Sequence, residues 1–107
     1  MVRIVETLEE FKSILAESGD KLIVVDFTAE WCGPCRMIAP HFKKFSEAPE
    51  NQNVIFLKVD VDEADDVAAF CAVQCMPTFH FYKNGKMVLE FSGANETQLK
   101  EGLEKLR

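Results

Sequence analysis

Leu22-Ile23-Val24-Val25-Asp26-Phe27-Thr28-Ala29-Glu30-Trp31-Cys32-Gly33-Pro34-Cys35 carries a nearly continuous β-branched run into two cysteines separated by two residues. An apolar run without alternation predicts a strand over Leu22–Phe27 that is covered on both faces. Val54-Ile55-Phe56-Leu57-Lys58-Val59 repeats the pattern. Between them, Met37, Ile38, Phe42 and Phe45 fit one helical stripe, interrupted by Pro40. Strand, helix, strand with both strands apolar predicts a parallel pair joined by a right-handed crossover.

Outward from this unit the punctuation continues to alternate. Val2–Val5 reads as an edge strand. Thr7-Leu8-Glu9-Glu10 has the form of a capping box, with Thr7 as N-cap and Glu10 reaching back. Leu8, Phe11, Ile14 and Leu15 then recur at helical spacing until Gly19 stops the helix. Asp62–Val73 reads as a short helix. Thr78–Lys83, Asn84-Gly85 and Lys86–Ser92 form a hairpin, since Asn-Gly favours a type I′ turn. Asn95, with Gln98 three residues on, caps a last helix carrying Leu99, Leu103 and Leu106. The predicted order is β-α-β-α-β-α-β-β-α: a mixed α/β sheet of five strands with four helices on its two sides.

Composition sets the bounds. At 107 residues, 48% hydrophobic and 28% charged, the chain is one domain over residues 1–107, able to bury about two-thirds of its surface. Nine phenylalanines want a core, so the fold needs no metal or disulfide staple. A net charge of −6 argues against nucleic-acid or anionic-membrane partners. No apolar run reaches the roughly 18 residues of a spanning helix, and the N-terminus lacks the pattern of a signal peptide. Four cysteines without a secretory signal point to redox or metal chemistry.

Cys32 falls at a helix N-terminus, where free N–H groups and the positive end of the helix dipole stabilise a thiolate. Pro34 suits the first turn, where its missing N–H would have no partner. Cys35 lies one turn along and faces the same way, giving an exposed nucleophile and a sheltered resolving thiol. A four-thiolate zinc site of Cys32, Cys35, Cys71 and Cys75 is the competing reading. Against it stand the CxxxC spacing of the second pair and the helix that the first pair opens.

Asp26 is the one acid inside an apolar strand. It is either a solvent-facing strand-end carboxylate or a buried general base for Cys35, its pKa raised by desolvation. Lys58, alone in the next apolar strand, either lies beside Asp26 and modulates it or snorkels to solvent. Met76-Pro77-Thr78 opens the next strand, where Pro77 cannot donate to a ladder. His80 alternates with Phe79 and Phe81 and points to the opposite face from both, while His41 lies almost two turns past Cys35; neither reads as catalytic. The acidic run Asp60, Asp62, Glu63, Asp65, Asp66 reads as a solvated face, since it lacks the glycine of a calcium loop.

Val24-Val25-Asp26-Phe27, Ala29-Glu30-Trp31-Cys32-Gly33-Pro34-Cys35, Pro40, Asp60-Val61-Asp62, Met76-Pro77-Thr78 and Phe91-Ser92-Gly93-Ala94 together resemble the thioredoxin family, animal cytosolic type, over essentially the whole chain. The resemblance implies the thioredoxin fold. It implies Cys32 as nucleophile, Cys35 as resolving thiol and Asp26 as buried base, with Trp31, Gly33, Pro34 and Lys58 shaping the site. It further implies a cis Pro77 opposite the cysteines, with Met76, Pro77, Gly93 and Ala94 docking an extended substrate by main-chain bonds.

By the same resemblance Cys75 and Cys71 are regulatory cysteines, Cys75 exposed and able to link a dimer of an otherwise monomeric protein. On general grounds, however, Cys75 can be an unreactive thiol and Cys71 a buried helix residue. Ala64 stands where many relatives carry a further cysteine, which puts a disulfide within that helix in doubt. The expected function is a general protein disulfide reductase. It has no bound cofactor, acts on disulfide-containing client proteins and is re-reduced by thioredoxin reductase, in the cytoplasm and also the nucleus. The other reading is a redox-dependent binding module with little turnover.

Overall fold

The computed structural model describes residues 1–107. Five strands, β1 (Val2–Ile4), β2 (Ile23–Thr28), β3 (Ile55–Asp60), β4 (Thr78–Lys83) and β5 (Lys86–Ser92), form one sheet in the order β1-β3-β2-β4-β5. β1 and β2 both pair with β3 in parallel, and β2–β4 and β4–β5 are antiparallel. Four helices pack on it: α1 (Leu8–Glu17), α2 (Gly33–Glu47), α3 (Asp65–Phe70) and α4 (Glu96–Leu106). A 3₁₀ turn at Pro49–Asn51, not expected from sequence, follows α2.

β2 is central, and all six of its residues are buried. Because side chains alternate across a strand, Ile23, Val25 and Phe27 join Phe11 and Ile14 of α1 and Val67 of α3 in one core layer. Val24 joins Ile38 and Phe42 of α2, Phe79 and Phe81 of β4, and Leu99 and Leu103 of α4 in the other. Asp26 shares the parity of Val24, which places it beneath α2.

Local chemistry sets the ends. Thr7 Oγ1 accepts the Glu10 N–H at 3.1 Å, but the Glu10 carboxylate passes the Thr7 N–H and accepts from Glu6 N–H, because Arg3 draws it outward. Asn95 Oδ1 accepts the Gln98 N–H. Asn84 and Gly85 both have positive φ, as the type I′ turn requires.

Three expectations need correction. Met37 is 71% exposed and does not belong to the core stripe of α2, which runs through Ile38 and Phe42. The third helix is half the expected length. Asp60 Oδ1 accepts the N–H groups of Asp62 and Glu63 and holds that segment in a turn, and Ala72 at φ 56° leaves the helical region after Phe70. Cys71 is therefore the C-cap of α3 and half-buried, not a buried residue within the helix.

Candidate active site

β2 delivers the chain to the sheet's carboxyl edge and α2 starts there with Cys32 as its N-cap. The Cys35 N–H donates to Cys32 Sγ at 3.2 Å, so a free donor of the first turn already points at the sulfur. Cys32 and Cys35 are joined as a disulfide across a Cα–Cα separation of 5.3 Å. Only 5% of Cys32 and 2% of Cys35 is accessible, so the contrast between an exposed and a sheltered sulfur is far smaller than expected. Ala29 and the flanking Val61 and Met76 pack around the pair, which accounts for that burial.

The rim is made by three loops. Trp31 is 66% exposed, and its indole N–H donates to Asp62 Oδ2 at 2.8 Å, tying the ring to the turn after β3. Gly33 has nothing within 4 Å of where a Cβ would stand, leaving space over the disulfide, and Pro34 lies within the first turn. The Met76–Pro77 bond is cis, and the Met76 carbonyl oxygen lies 3.6 Å from Cys32 Sγ. Gly93 N–H donates to Pro77 O at 2.8 Å with φ 103°, a conformation that favours glycine, and Ala94 beside it is exposed. The structure thus gathers Trp31, Cys32, Gly33, Pro34, Cys35, Met76, Pro77, Gly93 and Ala94 at one end of the sheet.

Asp26 is 2% exposed, and its Oδ1 has no hydrogen-bond partner. Burial raises its pKa to about 7, against the opposing pull of Lys58, its register partner on β3. Of the two readings of each residue, Asp26 is the buried acid and Lys58 lies alongside it. Two adjoining cavities share Ile4, Arg36, Ala39 and Lys58; one reaches Asp26 and the other Cys35. Arg36 and Ile4 escaped sequence reading because only the pairing of β1 with β3 brings Ile4 opposite α2. Asp62 was read as part of a solvated acidic face, with no local sign of its bond to Trp31.

The four cysteines do not converge. Cys71 Sγ lies 3.6 Å from Tyr82 OH, its thiol pKa raised by burial, whereas Cys75 is exposed with Sγ 3.3 Å from Ser92 Oγ. The one cluster of metal-ligating side chains, Glu30, Asp60 and Glu63, contains no cysteine. His80 faces away from Phe79 and Phe81, as alternation predicts, and is held by Glu90 at 2.8 Å and Tyr82 at 3.2 Å. His41 pairs with Glu96 on α4.

A disulfide between an N-cap cysteine and the residue one turn on, beside a cis-proline loop and above a buried acid, defines a thiol–disulfide oxidoreductase domain. The family model described as Thioredoxin matches residues 2–105. Thioredoxin of Ictalurus punctatus is 58% identical over 94% of each chain, and that of Homo sapiens 53% identical over 99% of each. The X-ray structure of Fasciola hepatica thioredoxin superposes with a TM-score of 0.93 at 46% identity, covering 98% of this chain and 99% of that one. The chain belongs to the thioredoxin family. Its chemistry is thiol–disulfide exchange, with disulfide-containing targets and a reductase system as the kinds of partner the family implies.

Proposed function

We propose that this single domain is a general protein disulfide reductase in which Cys32 is the nucleophile, Cys35 the resolving thiol and Asp26 the base. The observation that carries the reading is the Cys35 N–H aimed at Cys32 Sγ from the first turn of α2, a donor that would stabilise a Cys32 thiolate in the reduced state. The thiolate attacks a client disulfide, forming a mixed disulfide and releasing one client thiolate. Cys35 then attacks Cys32 Sγ, freeing the second client thiol and restoring the Cys32–Cys35 bond. Asp26, titrating near neutrality, accepts the Cys35 proton through the adjoining cavities. Met76, Pro77, Gly93 and Ala94 offer main-chain groups to an extended client, with Trp31 bordering it.

The two electrons return from thioredoxin reductase, an NADPH-dependent flavoprotein, and the chain binds no cofactor of its own. The protein works as a monomer in the cytoplasm and nucleus. Exposed Cys75, next to the docking loop, links two copies under oxidation. Neither Cys71 nor Cys75 is in a disulfide, and both serve that regulatory role.

Reduction of an insulin-type disulfide with thioredoxin reductase and NADPH should proceed with the wild type and stop with Cys32→Ser. Cys35→Ser should accumulate client proteins on Cys32. Mixed disulfides forming at Cys75 alone would overturn the assignment.

A further inference from the structure

β1 pairs with β3 at the sheet edge and stands opposite α2, and a cavity of about 530 Å³ opens between them. That volume lies within the range of small-molecule sites. Ile4, Pro40 and Phe42 give it apolar walls. Arg36 and Lys43 reach it from α2 and Lys58 from β3, and none of the three takes part in an ion pair. Arg36 uses Nη1 on the Glu30 carbonyl, which leaves its other N–H groups free. Three unpaired cations around one cavity stand out in a chain of net charge −6. At the inner end lies Asp26, 2% exposed, with Oδ1 lacking any partner. A buried carboxyl group without a partner costs about 1–3 kcal/mol, which a bound group able to hydrogen-bond it would recover in part.

We propose that this cavity binds a small monoanionic carboxylate with a short apolar or aromatic body, held by Lys58, Lys43 and Arg36 and by a hydrogen bond donated from protonated Asp26. The apolar body lies along Ile4, Pro40 and Phe42, and the carboxylate points inward. The site is separate from the cis-proline docking surface. It stands whether or not Asp26 serves as a base, because binding is measured on the oxidised protein, where no thiol at the site ionises.

The inference carries a pH signature. The groups facing Asp26 are Lys58 from β3 and Arg36 and Lys43 from α2. β4 brings Phe79, β1 brings only apolar side chains, and Glu30, Asp60 and Glu63 border the adjoining cavity beyond Lys58. Asp26 is the one buried acid among these groups. It titrates at about 7. Because apparent affinity scales with the competent fraction, binding weakens roughly tenfold from pH 6 to pH 8.

The probe is 4-phenylbutyrate, titrated into oxidised ¹⁵N-labelled protein and followed by amide chemical shifts. Saturable millimolar binding that moves Ile4, Ala39 and Lys58, about tenfold weaker at pH 8, is the expected result. Asp26→Asn, which keeps a neutral donor at all pH values, should bind equally at both. Exposed Lys43→Gln should weaken binding about two- to fivefold. The neutral isostere 4-phenylbutanol should bind at least tenfold more weakly. Equal affinity of the acid at pH 6 and 8, equal affinity of the alcohol, or no saturable shift at these residues up to about 20 mM overturns the proposal.

Discussion

Asp26 is held neutral by its surroundings up to about pH 7, and the cost of ionising it above that falls on the fold. Its carboxyl is sealed beneath α2 with one oxygen unpartnered, and burial outweighs the nearby Lys58. The unfolded chain releases this proton near the ordinary value of 3.8, the native chain at about 7. Between those limits the native state binds more protons, so stability falls as pH rises through the window, and above about 7 the full penalty is present. Taking 1.36 kcal/mol per pKa unit, the penalty is about 4 kcal/mol. Asp26→Asn should therefore unfold in urea at a higher midpoint than wild type at pH 8, by about 2–4 kcal/mol, and the gap should close below about 1 kcal/mol at pH 4. A gap of equal size at both pH values would mean that burial of the charge is not its cause. His80 contributes a slope of opposite sign. Burial lowers its pKa despite Glu90, so its stability contribution is complete above the unfolded value of about 6.5 and declines on acidification below it. The Asp26 variant removes only the first slope, which keeps the two distinguishable.

Helix α4 packs on β4 and β5 through Gly102, where a glycine is the wrong residue by helix propensity. A Cβ there would stand 2.8 Å from Phe81 Cζ and 3.0 Å from Leu89 Cδ2. Alanine would gain about 1 kcal/mol of helix propensity, but Phe81 is fully buried and cannot swing aside, so overpacking of about 1–3 kcal/mol opposes it. We expect Gly102→Ala to destabilise the fold by up to about 2 kcal/mol net in urea unfolding, and a stabilised variant would show that α4 can slide without cost. This close approach was invisible to sequence reading, because propensity and periodicity describe a helix alone and not what it leans on. Elements governed by their own chemistry were legible: the Thr7 and Asn95 caps, the Asn84-Gly85 turn, the buried run of β2 and the cysteine pair at the start of α2. The length of α3 was not, since Asp60 Oδ1 holds Asp62 and Glu63 in a turn ahead of the helix and Ala72 at φ 56° ends it. Nor were Ile4 and Arg36 as neighbours of Asp26, because a three-residue edge strand reaches that cavity only through sheet order.

At the scale of the whole molecule the question is what the Cys32–Cys35 bond contributes to a fold built around two core layers. Each layer is assembled from strands and helices far apart in sequence, one around Phe11, Phe27 and Leu57, the other around Phe42, Phe56 and Phe81. The sulfurs instead join Ala29, flanked by Val61 and Met76, in a small cluster at the sheet's edge. Their sequence separation is 3, so the bond closes a loop of minimal length and removes little freedom from the unfolded chain. On the chain-entropy estimate it stabilises the fold by about 2 kcal/mol. By the same thermodynamic cycle, the fold stabilises the bond by that amount and no more, which leaves it free to be reduced and remade while the cores stay packed. Reduction with a phosphine should therefore leave the far-UV circular dichroism unchanged and lower the melting midpoint by about 10 °C. The double variant Cys32→Ser, Cys35→Ser should melt close to the reduced wild type. Loss of helical signal on reduction at 25 °C would mean that the bond staples the fold, and such a bond could not serve as a carrier of electrons.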